Sequence, residues 1–180
     1  MRVVAGSARG KKLAPVPGDS TRPILDRVKT ALFDILRPHI QGMKVLDVFA
    51  GSGGVGIEAL SQGAAHCTFV DINNNAFKTI KQNLEATKFT AAGSVYNTDA
   101  FAFLRRTQDS FDFIYVAPPQ YEGIWIETLR TLAERPEILN AEGLIVVQID
   151  PKEYEPVALS AFSEDRQKKY GNTLLVFYKR

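Results

Sequence analysis

One segment of this chain organises the rest: Leu46-Asp47-Val48-Phe49-Ala50-Gly51-Ser52-Gly53-Gly54-Val55-Gly56. It follows a short apolar run and precedes a helical pattern, so it is typical of the turn between a β-strand and an α-helix. Gly51, Gly53 and Gly56 satisfy the spacing G-x-G-x-x-G, in which the missing side chains let the backbone approach a ligand closely. The segment therefore predicts an α/β unit with a ligand at the carboxyl end of its first strand.

Strand-like and helix-like segments alternate around this turn and beyond it. Such alternation predicts a Rossmann-like α/β fold with a mostly parallel central sheet and helices on both faces. Two final strands joined at Gly171-Asn172 predict an antiparallel C-terminal hairpin. The predicted strands are Lys44–Val48, Cys67–Asp71, Ser94–Asn97, Phe111–Val116, Leu144–Ile149, Phe162–Tyr170 and Thr173–Tyr178, and the predicted helices are Val55–Gln62, Asn74–Thr87, Ala100–Arg106 and Trp125–Ala133.

The segment that precedes this alternation is basic. Val3–Ala5 and Lys12–Ala14 predict a small hairpin, and the apolar spacing of Asp26–Leu36 predicts a helix. Residues 1–44 contain nine basic and three acidic side chains, a net charge of +6, whereas the remainder carries −4. A basic extension on an acidic body indicates contact with a polyanion, and the alternative is a solvated surface without a partner.

Composition and cysteine usage exclude several classes of protein. Apolar residues make up 45% of the 180 residues and charged residues 23%, which fits a globular fold. The chain has neither a run of the ~18 apolar residues that a membrane span needs nor a signal-peptide apolar region. Cys67 has no second cysteine to pair with, and His39 and His66 lack metal-ligand spacing. We expect a monomeric, cytoplasmic protein without a metal.

Three acids lie at or just beyond the carboxyl ends of three successive predicted strands. Asp71 lies 20 residues after Gly51, where a carboxylate accepts hydrogen bonds from ribose hydroxyls. Asp47 precedes the glycines, where it would repel a pyrophosphate but attract the sulfonium and ammonium groups of S-adenosylmethionine. Asp99 either binds the adenine amine or caps the helix Ala100–Arg106, and the two roles are compatible. This order predicts S-adenosylmethionine as the cofactor, with a nicotinamide-dependent oxidoreductase as the alternative.

Several further motifs occur together in this chain without a physical reason to do so. They are Arg9-Gly10-Lys11-Lys12-Leu13, Thr21-Arg22-Pro23, Asp26-Arg27-Val28, Ala31-Leu32-Phe33, Gly56-Ile57-Glu58-Ala59-Leu60, Phe69-Val70-Asp71, Asn83-Leu84, Asp99-Ala100, Phe111-Asp112 and Tyr170-Gly171-Asn172-Thr173. With the glycine segment, they resemble the bacterial 16S ribosomal RNA guanine-N2 methyltransferase family, whose members are class I S-adenosylmethionine-dependent methyltransferases. The resemblance covers nearly the whole chain.

The resemblance implies a function and a set of contacts. It implies methyl transfer from S-adenosylmethionine to the N2 amine of a guanine, with ribosomal RNA or the small ribosomal subunit as partner. Residues 1–40 would form an RNA-binding extension, and residues 41–180 the S-adenosylmethionine-binding catalytic domain. The expected cofactor contacts are Asp47, Phe49, Ala50, Gly51, Ser52, Gly53, Gly56, Asp71, Ile72, Asp99 and Ala100. The expected phosphate contacts are Arg9, Arg22, Arg27 and Lys29, although the last two are also compatible with a solvent-facing helix side.

The predicted acceptor turn departs from the family pattern. Methyltransferases of exocyclic amines usually present Asp or Asn, then Pro-Pro, then an aromatic residue. This chain has Ala117, which cannot accept a hydrogen bond, although the Pro118 carbonyl can and Pro119 rigidifies the turn. Gln120 offers an amide oxygen and Tyr121 offers a ring on which a flipped base can stack. We take these five residues as the candidate catalytic set.

The missing acceptor leaves two rival functions open. One is a degenerate methyltransferase that binds cofactor and RNA without catalysis, and the other is a methyltransferase with a different nucleic-acid acceptor. Loss of one hydrogen bond costs about 1–3 kcal/mol, or roughly 5–150-fold in rate. Positioning of the methyl donor contributes more than that. We therefore expect a slower or rewired enzyme rather than an inactive one.

Overall fold

The computed structural model describes residues 1–18 and 23–180. These residues form one sheet of seven strands in the order β3-β2-β1-β4-β5-β7-β6, together with five α-helices. The strands are β1 Lys44–Asp47, β2 His66–Asp71, β3 Gly93–Asn97, β4 Phe111–Val116, β5 Leu139–Ile149, β6 Ser163–Tyr170 and β7 Thr173–Lys179, and the helices are α1 Asp26–Leu36, α2 Gly54–Ser61, α3 Asn74–Ala86, α4 Ala100–Arg106 and α5 Ile124–Glu134.

The direction of the strands confirms the predicted sheet. Strands β1 to β5 run parallel to one another, whereas β7 pairs antiparallel with β5 and β6 pairs antiparallel with β7. The mostly parallel sheet with an antiparallel C-terminal hairpin is therefore confirmed. Because the parallel strands end at the same edge, the residues that follow them converge on one cleft.

Apolar side chains cover both faces of the sheet. On one face, α1 buries Val28 and Leu32 against the cluster that contains Val146. On the other face, α5 buries Trp125 and Leu129. Since both faces are covered, the central strands are continuous apolar runs, which is why they were predictable as buried strands.

The helices of the described ranges are short. The longest, α3, has 13 residues, and it is capped by the preceding Asn73, whose side chain accepts hydrogen bonds from the backbone N–H groups of Asn75 and Ala76. Nowhere in residues 1–18 and 23–180 is a helix long and apolar enough to cross a membrane.

Strand β5 begins earlier than its sequence pattern predicts. The predicted strand started at Leu144, whereas the observed strand starts at Leu139, which pairs with Phe111. The register shifts between Phe111 and Phe113, and Ala141 and Glu142, which lie between the two paired parts of β5, are exposed. A bulge breaks the apolar pattern, so the first part of the strand resembles a loop in sequence.

The predicted N-terminal hairpin is present but short. Arg2 and Lys12 form an antiparallel bridge, and backbone hydrogen bonds from Val3 N–H to the Lys11 carbonyl and from Leu13 N–H to the Met1 carbonyl, both 2.9 Å, flank it, although the segments Val3–Ala5 and Lys12–Ala14 do not extend into longer strands. The reason is that the backbone N–H groups of Val4 and Ala5 donate to the Glu58 carboxylate on α2, 2.9 and 3.1 Å away. Backbone groups that dock on a helix are not available for a longer ladder.

Candidate active site

The three predicted acids converge at the carboxyl edge of the sheet. Asp47 ends β1, Asp71 ends β2, and Asp99 follows β3 by two residues. Asp47 is buried, Asp71 is half-buried and Asp99 is exposed. The strand order places the three acids along one side of the cleft, as expected from their positions in the sequence.

The glycine turn is held by backbone hydrogen bonds to the next strand. The Gly51 N–H donates to Asp71 Oδ2 at 2.8 Å, and the Ala50 N–H donates to the Val70 carbonyl at 3.0 Å. Gly51 has a φ of +57° and Gly53 has a φ of +84°, which is a backbone conformation that residues with a Cβ atom rarely adopt. The turn is therefore a fixed element that ends directly at the N-terminus of α2.

Gly56 has a packing role rather than a place on the cleft surface. A Cβ at this position would lie 2.3 Å from Phe69 Cε1 and 2.6 Å from Cys67 Sγ. Its N–H donates to Asp47 Oδ2 at 3.3 Å. Gly56 is buried where α2 packs against β2, and its direct contact with a cofactor remains a prediction.

Two adjoining cavities are lined by the three acids at the carboxyl edge of the sheet. The first has a volume of about 230 Å³, and Asp47, Ala50 and Ser52 contribute to its wall. The second has a volume of about 310 Å³ and is lined by acidic and apolar side chains that include Asp71, Ile72, Asp99 and Ala100. Phe49, Gly51 and Ala117 line both cavities, so the two are neighbouring parts of one cleft. Of the predicted cofactor contacts, all except Gly53 and Gly56 line this cleft.

The charges of this cleft fit a cationic cofactor better than a pyrophosphate. Asp47 lines the first cavity, and Asp71 and Asp99 line the second, whereas no described residue of either wall is Lys or Arg. A carboxylate favours sulfonium and ammonium groups and repels phosphates. The exposed Ile72 adds an apolar surface beside Asp71, which suits a flat base.

Asp47 has an unusual protonation equilibrium. Its side chain is 3% exposed, and burial raises its pKa to about 7, with the neighbouring Asp71 charge adding to the rise and the Gly56 N–H opposing it. A cation in the first cavity would favour the ionised form of this carboxyl group. The residue is therefore an acid whose charge is available to a positively charged ligand near neutral pH.

The other two acids already have structural partners. Asp71 accepts hydrogen bonds from the N–H groups of Gly51 and Asn73. Asp99 Oδ2 accepts from the Ala102 N–H at 2.9 Å and so caps α4. A carboxylate has about four lone-pair sites, so each can also face a ligand. The predicted ribose and adenine contacts remain predictions.

The Pro-Pro turn lies at the end of β4, beside the cleft. Ala117 is half-buried between the two cavities, and Pro119 lines the second. Gln120 is exposed and lines a third cavity of about 250 Å³. Tyr121 has a φ of +64° and is 62% exposed, and its hydroxyl donates to Asp150 Oδ2 at 2.7 Å. Stacking of a base on its ring remains a prediction.

The third cavity brings together residues that motif analysis missed. Gln148 and Asp150 line it together with Arg27, Gln120 and Tyr170. A sequence signal existed for both missed residues. Gln148 is the one polar residue in the apolar run Leu144–Ile149, and Asp150 lies at the end of a parallel strand just as the three predicted acids do.

The N-terminal extension covers part of the first cavity. Met1, Leu13 and Ile24 contribute apolar side chains to its wall. The extension is fixed to the body because the Ala14 N–H donates to Asn83 Oδ1 at 2.8 Å. The predicted boundary at residue 40 remains a prediction, although the apolar side chains on its two sides share one core.

Three of the four predicted phosphate contacts lie in described parts of the chain. Arg9 and Arg27 are exposed, whereas Arg22 lies outside the described residues. Lys29 is fully buried, pairs with Glu58 at 3.2 Å and donates to the Arg2 carbonyl at 2.7 Å. The prediction of Lys29 as a phosphate contact is therefore wrong, because its ammonium group already has two partners inside the protein.

Metal binding has no candidate in the described ranges. No group of three or more His, Cys, Asp and Glu side chains there is arranged to hold a metal ion. The expectation of a protein without a metal remains an expectation.

Comparison with known proteins agrees with the motifs. The family model described as "Conserved hypothetical protein 95" matches residues 1–179. YlbH of Bacillus subtilis (strain 168) is 38% identical over 183 residues, with 100% of this chain and 99% of that protein covered. Ribosomal RNA small subunit methyltransferase D of Escherichia coli (strain K12) is 34% identical over 181 residues, with 100% of this chain and 90% of that protein covered. These matches confirm the resemblance that the motifs indicated.

Solved structures agree with the fold. The Escherichia coli protein yhhF superposes with a TM-score of 0.89 at 33% identity, covering 100% of this chain and 97% of that one. SMU.776, solved in complex with SAH, superposes with a TM-score of 0.69 at 18% identity, covering 87% of this chain and 49% of that one. The predicted Rossmann-like class I methyltransferase fold is confirmed.

Proposed function

This chain belongs to the Conserved hypothetical protein 95 family and is a homologue of ribosomal RNA small subunit methyltransferase D, and from that premise we propose a specific reaction. The chain transfers a methyl group from S-adenosylmethionine to the N2 amine of a guanine in small-subunit ribosomal RNA. The names of the relatives support methylation of ribosomal RNA, and the guanine N2 position is the finer part of the proposal.

One observation carries the proposal above all others. Asp47, Asp71 and Asp99 follow three neighbouring strands and line two adjoining cavities whose described walls hold no basic side chain. This arrangement attracts the positive groups of S-adenosylmethionine and disfavours the pyrophosphate of a nicotinamide cofactor. The SAH found with SMU.776, a protein of the same fold, is compatible with this assignment.

The residues of the cleft divide the cofactor between the two cavities. Asp47 and Ser52 would hold the charged amino-acid end in the first cavity, and Asp71 and Asp99 would hold the nucleoside end in the second. When bound, S-adenosylmethionine supplies an electrophilic methyl group. Gly51 lines both cavities, so its backbone would lie close to the middle of the cofactor.

The acceptor base would enter from the third cavity. An exocyclic amine is a poor nucleophile because its lone pair is delocalised into the ring, so acceptors for its N–H groups favour attack. The Pro118 carbonyl is one such acceptor in the Pro-Pro turn. Gln120 and the exposed Tyr121 ring are close enough in sequence to contact the same base. The base must leave its stack to reach this site, as in other enzymes that modify bases.

The extension of residues 1–40 would hold the RNA while residues 41–180 hold the cofactor. Arg9 and Arg27 expose guanidinium groups, and Arg27 lines the third cavity. Phosphate contacts of this kind supply affinity and orientation, and base contacts supply specificity. We propose a cytoplasmic monomer without a metal as the acting form.

A methyl-transfer assay tests the proposal. Small ribosomal subunits and naked 16S RNA from cells that lack this protein are incubated with the purified chain and S-adenosylmethionine labelled in its methyl group. We expect label in the RNA and N2-methylguanosine in the digested nucleosides by mass spectrometry. Label on another nucleoside would overturn the acceptor assignment, and binding of NAD instead of S-adenosylmethionine would overturn the cofactor assignment.

A binding protein without catalysis is the second candidate function. The observation in its favour is Ala117, which leaves the Pro-Pro turn without the usual side-chain acceptor. This candidate predicts that the chain binds S-adenosylhomocysteine and RNA but transfers no methyl group to any ribosomal particle. The same assay separates the two functions, because calorimetry with S-adenosylhomocysteine reports binding independently of transfer.

A further inference from the structure

Gln148 lies close to Ala117 where β4 ends. Strands β4 and β5 are parallel, with Tyr115 paired to Val146 and Val116 paired to Val147. Ala117 directly follows the last residue of β4 and Gln148 directly follows Val147, so the same register extended by one residue places the two side by side, and both line the first cavity. Neighbouring strands lie about 4.8 Å apart, so a side chain on one reaches the other.

Ala117 and Gln148 also face the same side of the sheet. Side chains alternate along a strand, so Ala117 shares a face with Tyr115, and Gln148 shares a face with Val146. Tyr115 and Val146 both belong to the core cluster on the α1 side. Gln148 therefore projects toward the same side of the sheet as the position where an acceptor is missing.

Gln148 lies between the cofactor cleft and the third cavity. With Ala117 it lines the first cavity, in which Asp47 would bind the charged end of the cofactor. With Arg27 and Asp150 it lines the third cavity, from which the acceptor base would enter. No described polar side chain other than Gln148 lines both of these cavities.

The amide of Gln148 has a fixed orientation. The Tyr115 hydroxyl donates a hydrogen bond to Gln148 Oε1. Tyr115 is 2% exposed, and its burial raises the pKa of the phenol well above its usual value, so the hydroxyl stays a donor. An amide oxygen has two lone pairs, so Oε1 can accept a second hydrogen bond from a ligand.

We propose that Gln148 supplies the side-chain acceptor that Ala117 lacks, by accepting an N–H bond from the exocyclic amine of the acceptor base. The inference rests on the proposed methyl transfer and deepens it. In the transfer, the amine nitrogen forms the new N–C bond as the S–C bond of the sulfonium breaks, and the electron pair of that bond stays on sulfur. The nitrogen then releases a proton to water. Gln148 orients the amine and does not change its net charge.

Gln120 is the other amide that could replace the missing acceptor. It is exposed, follows Pro118-Pro119 and lines only the third cavity. Gln148, in contrast, lines the wall that Ala117 also lines. The position of the two amides therefore favours Gln148 as the acceptor, and Gln120 as a contact farther from the reacting nitrogen.

Substitution of Gln148 tests the inference in steady-state kinetics. Gln148→Met keeps the size of the side chain but removes the amide, and we expect kcat to fall by about 10–100-fold while KM for S-adenosylmethionine changes by less than about twofold. Gln148→Glu retains an oxygen that accepts the Tyr115 hydroxyl, so it should keep at least about a fifth of the wild-type kcat. The matched control is Gln108→Met, because Gln108 is exposed beyond α4 and lines none of the three cavities.

A rescue variant separates an acceptor role from a merely structural one. Ala117→Asn places an amide beside position 148. The double variant Gln148→Met with Ala117→Asn should therefore have a kcat at least about fivefold higher than that of Gln148→Met alone. Affinity for S-adenosylhomocysteine and the melting temperature of each variant show whether it has folded with an intact cleft. Gln148→Met with kcat within about twofold of wild type would overturn the inference, as would a large loss in Gln120→Met alone.

Failure of the proposed function has a different signature. If wild-type protein transfers no methyl group to any RNA, the proposed function is wrong and the role of Gln148 falls with it. If wild-type protein is active and folded Gln148 variants are equally active, only the role of Gln148 is wrong.

Discussion

The cofactor side of the cleft and the acceptor side hold their functional groups by different means. On the cofactor side, the Asp71 carboxylate fixes the backbone of the glycine turn through the Gly51 N–H at 2.8 Å. On the acceptor side, the Pro-Pro turn exposes Gln120 and Tyr121, and the groups around them come from β5 and α1. A glycine turn whose backbone is fixed by a neighbouring carboxylate tolerates few changes, whereas exposed groups from several elements can replace one another.

This difference explains why the departure at Ala117 is compatible with function. An acid at position 47 has no substitute, since its neighbours on the first cavity are mostly apolar or glycine. An acceptor at position 117 has a neighbour on the adjoining strand that can take its place. The acceptor side is therefore where we expect members of such a family to vary in sequence.

The largest expected effect comes from the buried ion pair that joins α1 to α2. Lys29 of α1 pairs with Glu58 of α2 at 3.2 Å, and both side chains are fully buried. Lys29→Ala leaves a buried carboxylate without its cation, so the free energy of unfolding should fall by about 3–5 kcal/mol. Urea denaturation measures this change.

The control for the ion pair lies two residues away on the same helix. Arg27 is exposed, so Arg27→Ala should change the free energy of unfolding by less than about 0.5 kcal/mol. If the free energy of unfolding falls by less than about 1 kcal/mol in Lys29→Ala, this ion pair does not hold α1 on α2.

The next largest effect should appear on the cofactor side. Asp71→Ala removes the acceptor of the Gly51 N–H as well as the proposed ribose contact, so S-adenosylhomocysteine should bind more weakly by about 1.5–3 kcal/mol. Isothermal titration calorimetry measures the affinity. Asp109→Ala, an exposed acid beyond α4, is the matched control. An unchanged affinity in Asp71→Ala would contradict the assignment of the second cavity to the nucleoside.

A smaller effect should follow the titration of Asp47. Its pKa is about 7 in the folded protein against 3.8 as the ordinary value, so the folded state retains a proton that the unfolded chain has released. The contribution of this group to stability is therefore full below about pH 4 and is lost as pH rises through 7. Affinity for S-adenosylmethionine should change in the opposite direction, since the cofactor favours the ionised carboxylate.

The affinity change can be measured between two pH values. If only the ionised carboxylate binds the cofactor, affinity should rise roughly eightfold from pH 6 to pH 7.5. Asp47→Asn should bind more weakly and lose this dependence. A wild-type affinity that is flat across this range would show that Asp47 does not carry the charge recognition.

The smallest expected effect belongs to single phosphate contacts of the N-terminal extension. Arg9→Ala and Arg27→Ala should each reduce the slope of log affinity against log salt by about 0.7–0.9 for RNA binding. Arg106→Ala is the control, because Arg106 is an exposed basic residue in the last turn of α4. Equal slopes in all three variants would show that the basic extension does not contact phosphates.

Sequence patterns were sufficient to predict the features that depend on residues close together in the chain. The helix Asp26–Leu36, the glycine turn and the three strand-end acids follow from local periodicity and from the rule that parallel strands end at one edge. Pro118-Pro119 likewise marked the end of β4. These features are local because backbone geometry and hydrogen bonds between neighbouring elements determine them.

Three features could not be read from the sequence. The sequence pattern of α1 is the same whether Lys29 faces solvent or Glu58. Only the packing of α1 on α2 buries the Lys29 side chain. Gly56 fits a ligand motif, yet the closeness of Phe69 determines its role. Only the pairing of two strands separated by more than twenty residues brings Gln148 beside Ala117.

The sequence by itself therefore determined the α/β class, the order of elements and the acids that gather at the carboxyl edge of the sheet, because each depends on short-range pattern. The tertiary structure alone decided which charges are buried, which glycine serves packing and which amide faces the acceptor turn. The physical reason is that burial and contact between distant segments depend on the relative placement of whole elements, which a local pattern does not encode.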